Sequence, residues 1–273
     1  MHQTYPVPAN TAKARSRWRF FTGENLGALA GPWRVLDPLM AKKKSAFSVA
    51  LRATSYLFSC AHIVVPLALV FGTIVGLLDV AVLSLFAPEA LKGGPTDQST
   101  MIKLMFGWWG VMLFIEVTLG PILAAMTIYA ARTRSHGGSV SFGKALNFAL
   151  ARYGRIFKWH AIAMLTIQVG MIAIVPGILF LLQYAFVDSI LCLEDEERPL
   201  NRSSRLTKGR RRGIFSLVFI WLIFTQILGF MELAALGEGT GTLIALMSGA
   251  YLLNIWVVMV FYTFYEDRTG KAA

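Results

Sequence analysis

The chain has 273 residues, of which 56% are hydrophobic and only 15% charged, with a mean hydropathy of +0.58, whereas a soluble domain is about 45–50% apolar and about 25% charged. That excess of apolar residues argues against a water-soluble fold. The net charge of +11 would suit nucleic acid, but the basic residues sit in short blocks between apolar runs rather than on a soluble face, which fits membrane topology and no nucleic-acid partner. The two cysteines, Cys60 and Cys192, lie in apolar segments without ligand spacing, so no disulfide scaffold, metal site or cofactor is expected.

Met1 to Lys44 is polar, basic and Pro-containing, and lacks an early apolar run. It reads as a cytoplasmic arm rather than a signal peptide, leaving the first span to act as its own insertion signal. Arg15, Arg17, Trp18, Arg19, Phe20, Phe21 and Trp33 mix cations with aromatics, a combination suited to lying on headgroups or docking on a partner.

A membrane-crossing helix needs about 20 apolar residues to traverse roughly 30 Å of hydrocarbon. Spans are expected near Tyr56 to Phe86, Leu104 to Ala130, Trp159 to Val175, Ile178 to Leu193, Ile214 to Leu236 and Leu243 to Phe264. Trp159 to Leu193 is too long for one straight crossing, and Val175-Pro176-Gly177 is the natural place for a tight hairpin. A single kinked helix, with five spans in all, is the alternative.

Lys and Arg accumulate on the cytoplasmic side of membrane proteins. Of the 26 here, nine precede the first span, six lie between the second and third, seven between the fourth and fifth and two in the tail; only Lys92 and Lys103 remain for the opposite face. Five spans would put one large basic loop outside, so the count favours six spans with cytoplasmic termini. The domains expected are the arm 1–44, the helical domain 45–265 and a short tail 266–273.

Three basic segments carry helical apolar spacing: Ser45 to Arg52, Ser141 to Leu150 with a capping Ser, and Pro199 to Leu206 with Pro at a first-turn position. Each reads as an amphipathic interfacial helix preceding a hairpin, and Phe47, Ala50 and Leu51 match Phe142, Ala145 and Leu146 at a constant offset. The fold expected is an all-α, polytopic transmembrane bundle of three such units, a parallel repeat.

From Ser141 to Phe215 the chain runs elbow, apolar span, Val175-Pro176-Gly177, Tyr184, Asp188, Glu194, and then Leu200-Asn201-Arg202-Ser203-Ser204-Arg205-Leu206 with a basic Gly-containing segment. Over roughly Ser45 to Tyr265 it resembles a six-helix bacterial membrane family that includes the membrane domain fused to some glycerophosphoryl diester phosphodiesterases. The resemblance implies the fold and a bacterial inner-membrane location, not an activity. With no phosphodiesterase domain in this sequence, no catalytic residue is carried over.

Glu116 falls near the middle of the second span, where an ionised carboxylate costs about 2.5–3.5 kcal/mol. It reads either as a proton or cation site, helped by Gly120-Pro121 loosening the helix, or as a hydrogen-bonded structural group. Gln168, Gln183, Gln226 and Asn254 are also near mid-span and read as helix-bridging amides. Asp79, Asp188 and Glu232 lie near span ends and read as interfacial acids; His62 and His160 show no paired acid or nucleophile at a readable spacing. Gly72 to Gly76 is a GxxxG pattern that would admit a close helix. Arg202, Arg205, Lys208, Arg210, Arg211 and Arg212 form the strongest basic cluster, either determining topology or binding anionic lipid, with the acids Glu194 to Glu197 beside them.

No reactive constellation is readable, so a non-catalytic scaffold or accessory subunit is expected, packing against lipids, other membrane subunits or its own copies. The alternative is a transporter or lipid-handling protein with a polar path around Glu116.

Overall fold

The computed structural model describes residues 45–88, 97–234 and 239–269. The candidate docking residues of the N-terminal arm, Arg15 to Trp33, lie outside the described residues. Ten helices and no strand occur among those described: α1 (Ala46–Ser59), α2 (Ala61–Phe86), α3 (Gln98–Thr118), α4 (Gly120–Ser135), α5 (Phe142–Met171), α6 (Val175–Tyr184), α7 (Val187–Leu193), α8 (Pro199–Thr207), α9 (Arg211–Ala234) and α10 (Thr240–Thr269).

By length and composition, α2, α6 with α7, α9 and α10 are each long and apolar enough to cross a membrane; residues 106–118 of α3 with α4, bent by 47° at their break, are either a fifth, broken span or a re-entrant loop. The chain is an all-α integral membrane bundle. The expected sixth span is the C-terminal part of α5, whose apolar stretch from Trp159 ends already at Met171. It falls short because the 30-residue helix spends its first half on the amphipathic elbow, which is continuous with it.

Each expected interfacial helix is present and begins as its sequence dictates. Ser45 Oγ accepts the Ser48 N–H at 3.2 Å, Ser141 Oγ accepts the Lys144 N–H, and Pro199 opens α8, where its missing N–H costs nothing. The first elbow breaks from its span at Cys60, so α2 starts at Ala61 rather than Tyr56.

α5 and α6 form a hairpin, not a kinked rod. The turn comes at 172–174, three residues ahead of the expected Pro176-Gly177, and those two residues instead open α6. Glycine is needed at this crossing: a Cβ on Gly170 would lie 2.9 Å from Gly177 Cα, and one on Gly177 would lie 2.6 Å from Met171 Cα. Ile174 turns the chain with φ 56°, a conformation a β-branched residue adopts only when the packing on both sides imposes it.

α10 is the central strut, packing on α1, α2, α4 and α9. It meets α2 at the GxxxG pattern, where small residues let the backbones touch: Cβ atoms on Gly72 and Gly76 would lie 2.5 Å and 3.1 Å from the Cα atoms of Ser248 and Ile244. The core around α10 contains Met126, Phe186, Ile190, Ile255, Met259 and Tyr265. α8 clasps the bend between α6 and α7, since Ser203 Oγ donates to Gln183 O at 2.7 Å and accepts the Phe186 N–H at 3.2 Å.

The basic connections gather at one end of the bundle. Arg155 donates to the carbonyls of Glu194 and Glu196 at 2.8 Å and 3.1 Å and pairs with Asp195 at 2.6 Å. Glu194 in turn accepts Tyr265 Oη at 2.8 Å and Arg202 Nε at 3.2 Å. Arg52 bonds Asp267, tying the first elbow to the last helix. Because α5 and α6 fold back on each other, the loops before and after them share a side.

Candidate functional site

The second span breaks where Leu119-Gly120-Pro121 interrupts it, ending α3 at Thr118 and starting α4 at Gly120. Pro121 donates no N–H, so carbonyls of the preceding turn lose helical partners. One of them, Thr118 O, accepts the hydroxyl of Tyr153 from α5 at 2.9 Å.

Glu116 stands one turn before this break. The position of a Cβ on Gly120 would be 2.9 Å from Glu116 Oε2 and 3.2 Å from His160 Nε2. Glycine at 120 is therefore what lets a carboxylate from α3 and an imidazole from α5 face each other. On its other side, His160 Nδ1 lies 2.8 Å from Asp188 Oδ1 of α7. His160 is 8% exposed, and its Nε2 is buried with no hydrogen-bond partner among the described residues.

This places a titratable imidazole between two carboxyl groups inside an apolar bundle. Asp188, as an acceptor, orients the ring with hydrogen on Nδ1. Nε2 points to the same space beside Gly120 as Glu116 Oε2, without a hydrogen bond between them. A buried carboxyl and a buried imidazole side by side are both groups that can gain or lose a proton. The group facing Nε2 is a carboxyl and not a nucleophilic hydroxyl or thiol, so the arrangement lacks the third member of a hydrolytic triad.

The sequence shows no acid at a readable spacing from His160 because Asp188, which bonds it, and Glu116 come from other helices, 28 positions after and 44 before it in the chain. The signal available in the sequence was a titratable side chain inside an apolar run, which in a membrane already marks a site. The reading of Asp79 as a wet interfacial acid is corrected too, since Asp79 is 2% exposed. His62 is exposed and bonds Val140 O at 3.1 Å, fastening the turn before α5.

The mid-span amides do not join the cluster. Asn254 accepts Trp221 Nε1 at 3.1 Å, bridging α10 to α9 as a structural amide would. Gln226 is exposed on α9, and Gln168 and Gln183 are half-buried. Among the described residues no group of three or more His, Cys, Asp or Glu is arranged to hold a metal ion.

Of the basic candidates, Arg202 is engaged by Glu194, whose hydrogen bond holds the guanidinium above its ordinary range. Arg205, Lys208 and Arg212 are exposed, while Arg210 and Arg211 are half-buried. A cleft of about 30 Å³ lined by Arg132, Leu193, Tyr262, Tyr265 and Glu266 lies at this end, with room for about one water.

Comparison with protein-family models, with curated proteins and with solved structures finds no match to this chain. The functional reading rests on the chemistry of the cluster.

Proposed function

We propose that this is a proton-handling membrane protein of the transporter or lipid-handling class, in which Glu116 and His160 exchange a proton and Asp188 holds the imidazole in register. The observation that carries it is the buried, unpartnered Nε2 of His160 facing Glu116 across Gly120. A purely structural histidine gains by satisfying both ring nitrogens; this one keeps a nitrogen available beside a second titratable group, at a helix break of the kind found where irregular backbone lines a membrane site.

The test uses the full chain in liposomes enclosing a pH-sensitive dye. The expected result is proton movement along an imposed gradient that Glu116→Gln abolishes while thermal unfolding in detergent stays the same. Equal proton movement in wild type and variant, or none in the wild type, overturns the reading.

A bacterial inner-membrane setting with both termini cytoplasmic belongs to the same proposal, as does membership of the six-helix family the sequence resembles. The orientation is supported by the α5–α6 hairpin, whose flanking basic loops share a side, as a count of 24 of 26 basic residues on one side requires. Exposed Arg205, Lys208 and Arg212 there would meet anionic headgroups, each adding about 1 kcal/mol of attraction.

The scaffold reading draws on a different observation: α9 buries only 17% of its apolar stretch, leaving Phe219, Ile223, Phe224 and Phe230 outward. Blue-native electrophoresis from native membranes tests it, and migration only as a free monomer counts against it.

A further inference from the structure

α9 turns one face toward the bundle and leaves the other uncovered. Ile214, Leu217 and Val218 are buried, and Trp221 donates to Asn254 of α10 at 3.1 Å. Ser216, Phe219, Ile223, Gln226 and Phe230 are exposed on the opposite face. They follow one another at steps of 3, 4, 3 and 4, the spacing of a seam that a second helix can cover along its length. The rings of Phe215 and Phe219 stack at 6.0 Å, so the aromatic part of this face is ordered before any partner arrives. Gln226 is the exception among these residues. It stands 15 positions after Arg211 and eight before Ala234, too deep in the span for its short side chain to reach water at either end. The hydroxyls of Ser216 and Thr225 on the same helix bond back to Gly213 O and Leu222 O, each at 2.9 Å, whereas the Gln226 amide has no hydrogen bond among the described residues. Hydrocarbon offers an amide neither donor nor acceptor, so lipid suits the phenylalanines of this face and not the glutamine.

We propose that the outer face of α9 is a self-association surface, on which a second copy of this chain lays its own α9 so that the two Gln226 side chains bond each other. An identical copy inserted in the same orientation brings its Gln226 to the same depth in the membrane. An amide is both donor and acceptor, so each Gln226 donates to the oxygen of the other across a twofold axis along the membrane normal. One unsatisfied polar position in the seam also fixes the register, because sliding either helix by a turn leaves both amides in hydrocarbon. A different partner would need a complementary group at that one depth; a second copy supplies it from the same sequence. The inference rests on the scaffold reading only for the exposed α9, narrows it to one occupant, and does not depend on the proton chemistry of Glu116.

Energy transfer between two differently labelled pools of the full chain, mixed in liposomes at a low protein-to-lipid ratio, tests this. The expected result is transfer in the wild type that falls when unlabelled chain is added. Gln226→Asn is expected to keep it, and Gln226→Leu to weaken pairing by about threefold for each of the two hydrogen bonds lost. Phe219→Cys is expected to give a disulfide-linked dimer when the membranes are oxidised, whereas Val169→Cys, also exposed but on α5, is not; the native Cys60 and Cys192 are buried and take no part. A wild type without transfer at any protein-to-lipid ratio overturns the proposal, and needs no variant to fold. It is equally overturned by Gln226→Leu pairing as tightly as the wild type, or by Val169→Cys cross-linking as readily as Phe219→Cys. If Phe219→Cys in native membranes cross-links only to a different protein, this inference fails and the scaffold reading stands. If the chain pairs through α9 and Glu116→Gln moves protons as the wild type does, the Glu116 reading fails and this inference stands.

Discussion

Gly72 of α2 and Ser248 of α10 approach so closely that a Cβ on the glycine would run into the serine hydroxyl oxygen and fall 2.5 Å from its Cα. The serine turns its hydroxyl back to Ile244 O at 2.8 Å, which leaves its small side chain as packing surface. This contact holds the first long span against the central one. Gly72→Ala is expected to destabilise the bundle by about 1–3 kcal/mol, the range for overpacking a close contact. Gly110→Ala, with nothing within 4 Å of its Cβ, is expected to cost nothing and to add up to about 1 kcal/mol through helix propensity. Thermal unfolding of the two variants in detergent distinguishes them, and equal losses would show that the crossing is not close packed.

Asp188 Oδ1 is bonded to the His160 ring at Nδ1, 2.8 Å away. Asp188→Ala removes the partner of Nδ1 on a buried imidazole, and the expected loss is about 1–3 kcal/mol of stability. Asp188→Asn keeps an acceptor oxygen and is expected to lose less stability yet still slow the dye response in liposomes, because the amide no longer balances a charged ring. Nitrogen-15 spectra of the His160 ring report the tautomer directly, and an unaltered tautomer in Asp188→Ala would show that the aspartate does not set it.

Arg155 holds the turn at 194–196 through two carbonyls as well as through the fully exposed Asp195 carboxylate. An exposed ion pair is worth about 0–1 kcal/mol, so the carbonyl contacts carry the effect. Arg155→Lys cannot reproduce the planar fork. Hydrogen exchange is expected to speed up at residues 194–198 with little change in the unfolding temperature, and unchanged exchange would argue against the clamp.

Asp97 caps α3, accepting the Thr100 N–H at 2.7 Å. Hydrogen bonds from the Thr100 side chain and then its backbone hold this exposed carboxyl below the ordinary carboxylate range. A depressed carboxyl contributes fully above its unfolded value and loses that contribution as pH falls through the lower folded one. Exchange of the Thr100 amide is therefore expected to stay slow at neutral pH and to accelerate only in strong acid. In Asp97→Asn, where a neutral cap serves about equally well, the acid step is expected to vanish; its persistence would assign it to another group.

Much of the architecture was legible because it depends on local patterns. The capping serines at 45 and 141, Pro199 at a first turn, and the apolar runs on either side of the Val175-Pro176-Gly177 break each announce a boundary within a few residues. Span count was less legible. The second span reads as one apolar run but is bent by 47° at Gly120-Pro121, and the third is shared with an amphipathic elbow in a single helix. Hydropathy averages over a window and does not register where a helix changes direction.

By itself the sequence determined that this chain enters a membrane as a helical bundle, that its basic connections cluster, and that Glu116 is costly where it stands. Each of these follows from residue type and spacing along the chain. Only the tertiary structure decided that His160 bonds Asp188 and comes beside Glu116, that Asp79 is buried, and that Asn254 serves Trp221 instead of a polar path. Those partners sit on different helices, tens of residues apart, and are brought together by the crossings at Gly72, Gly120 and Gly170, where the lack of a side chain allows a close approach that periodicity does not reveal.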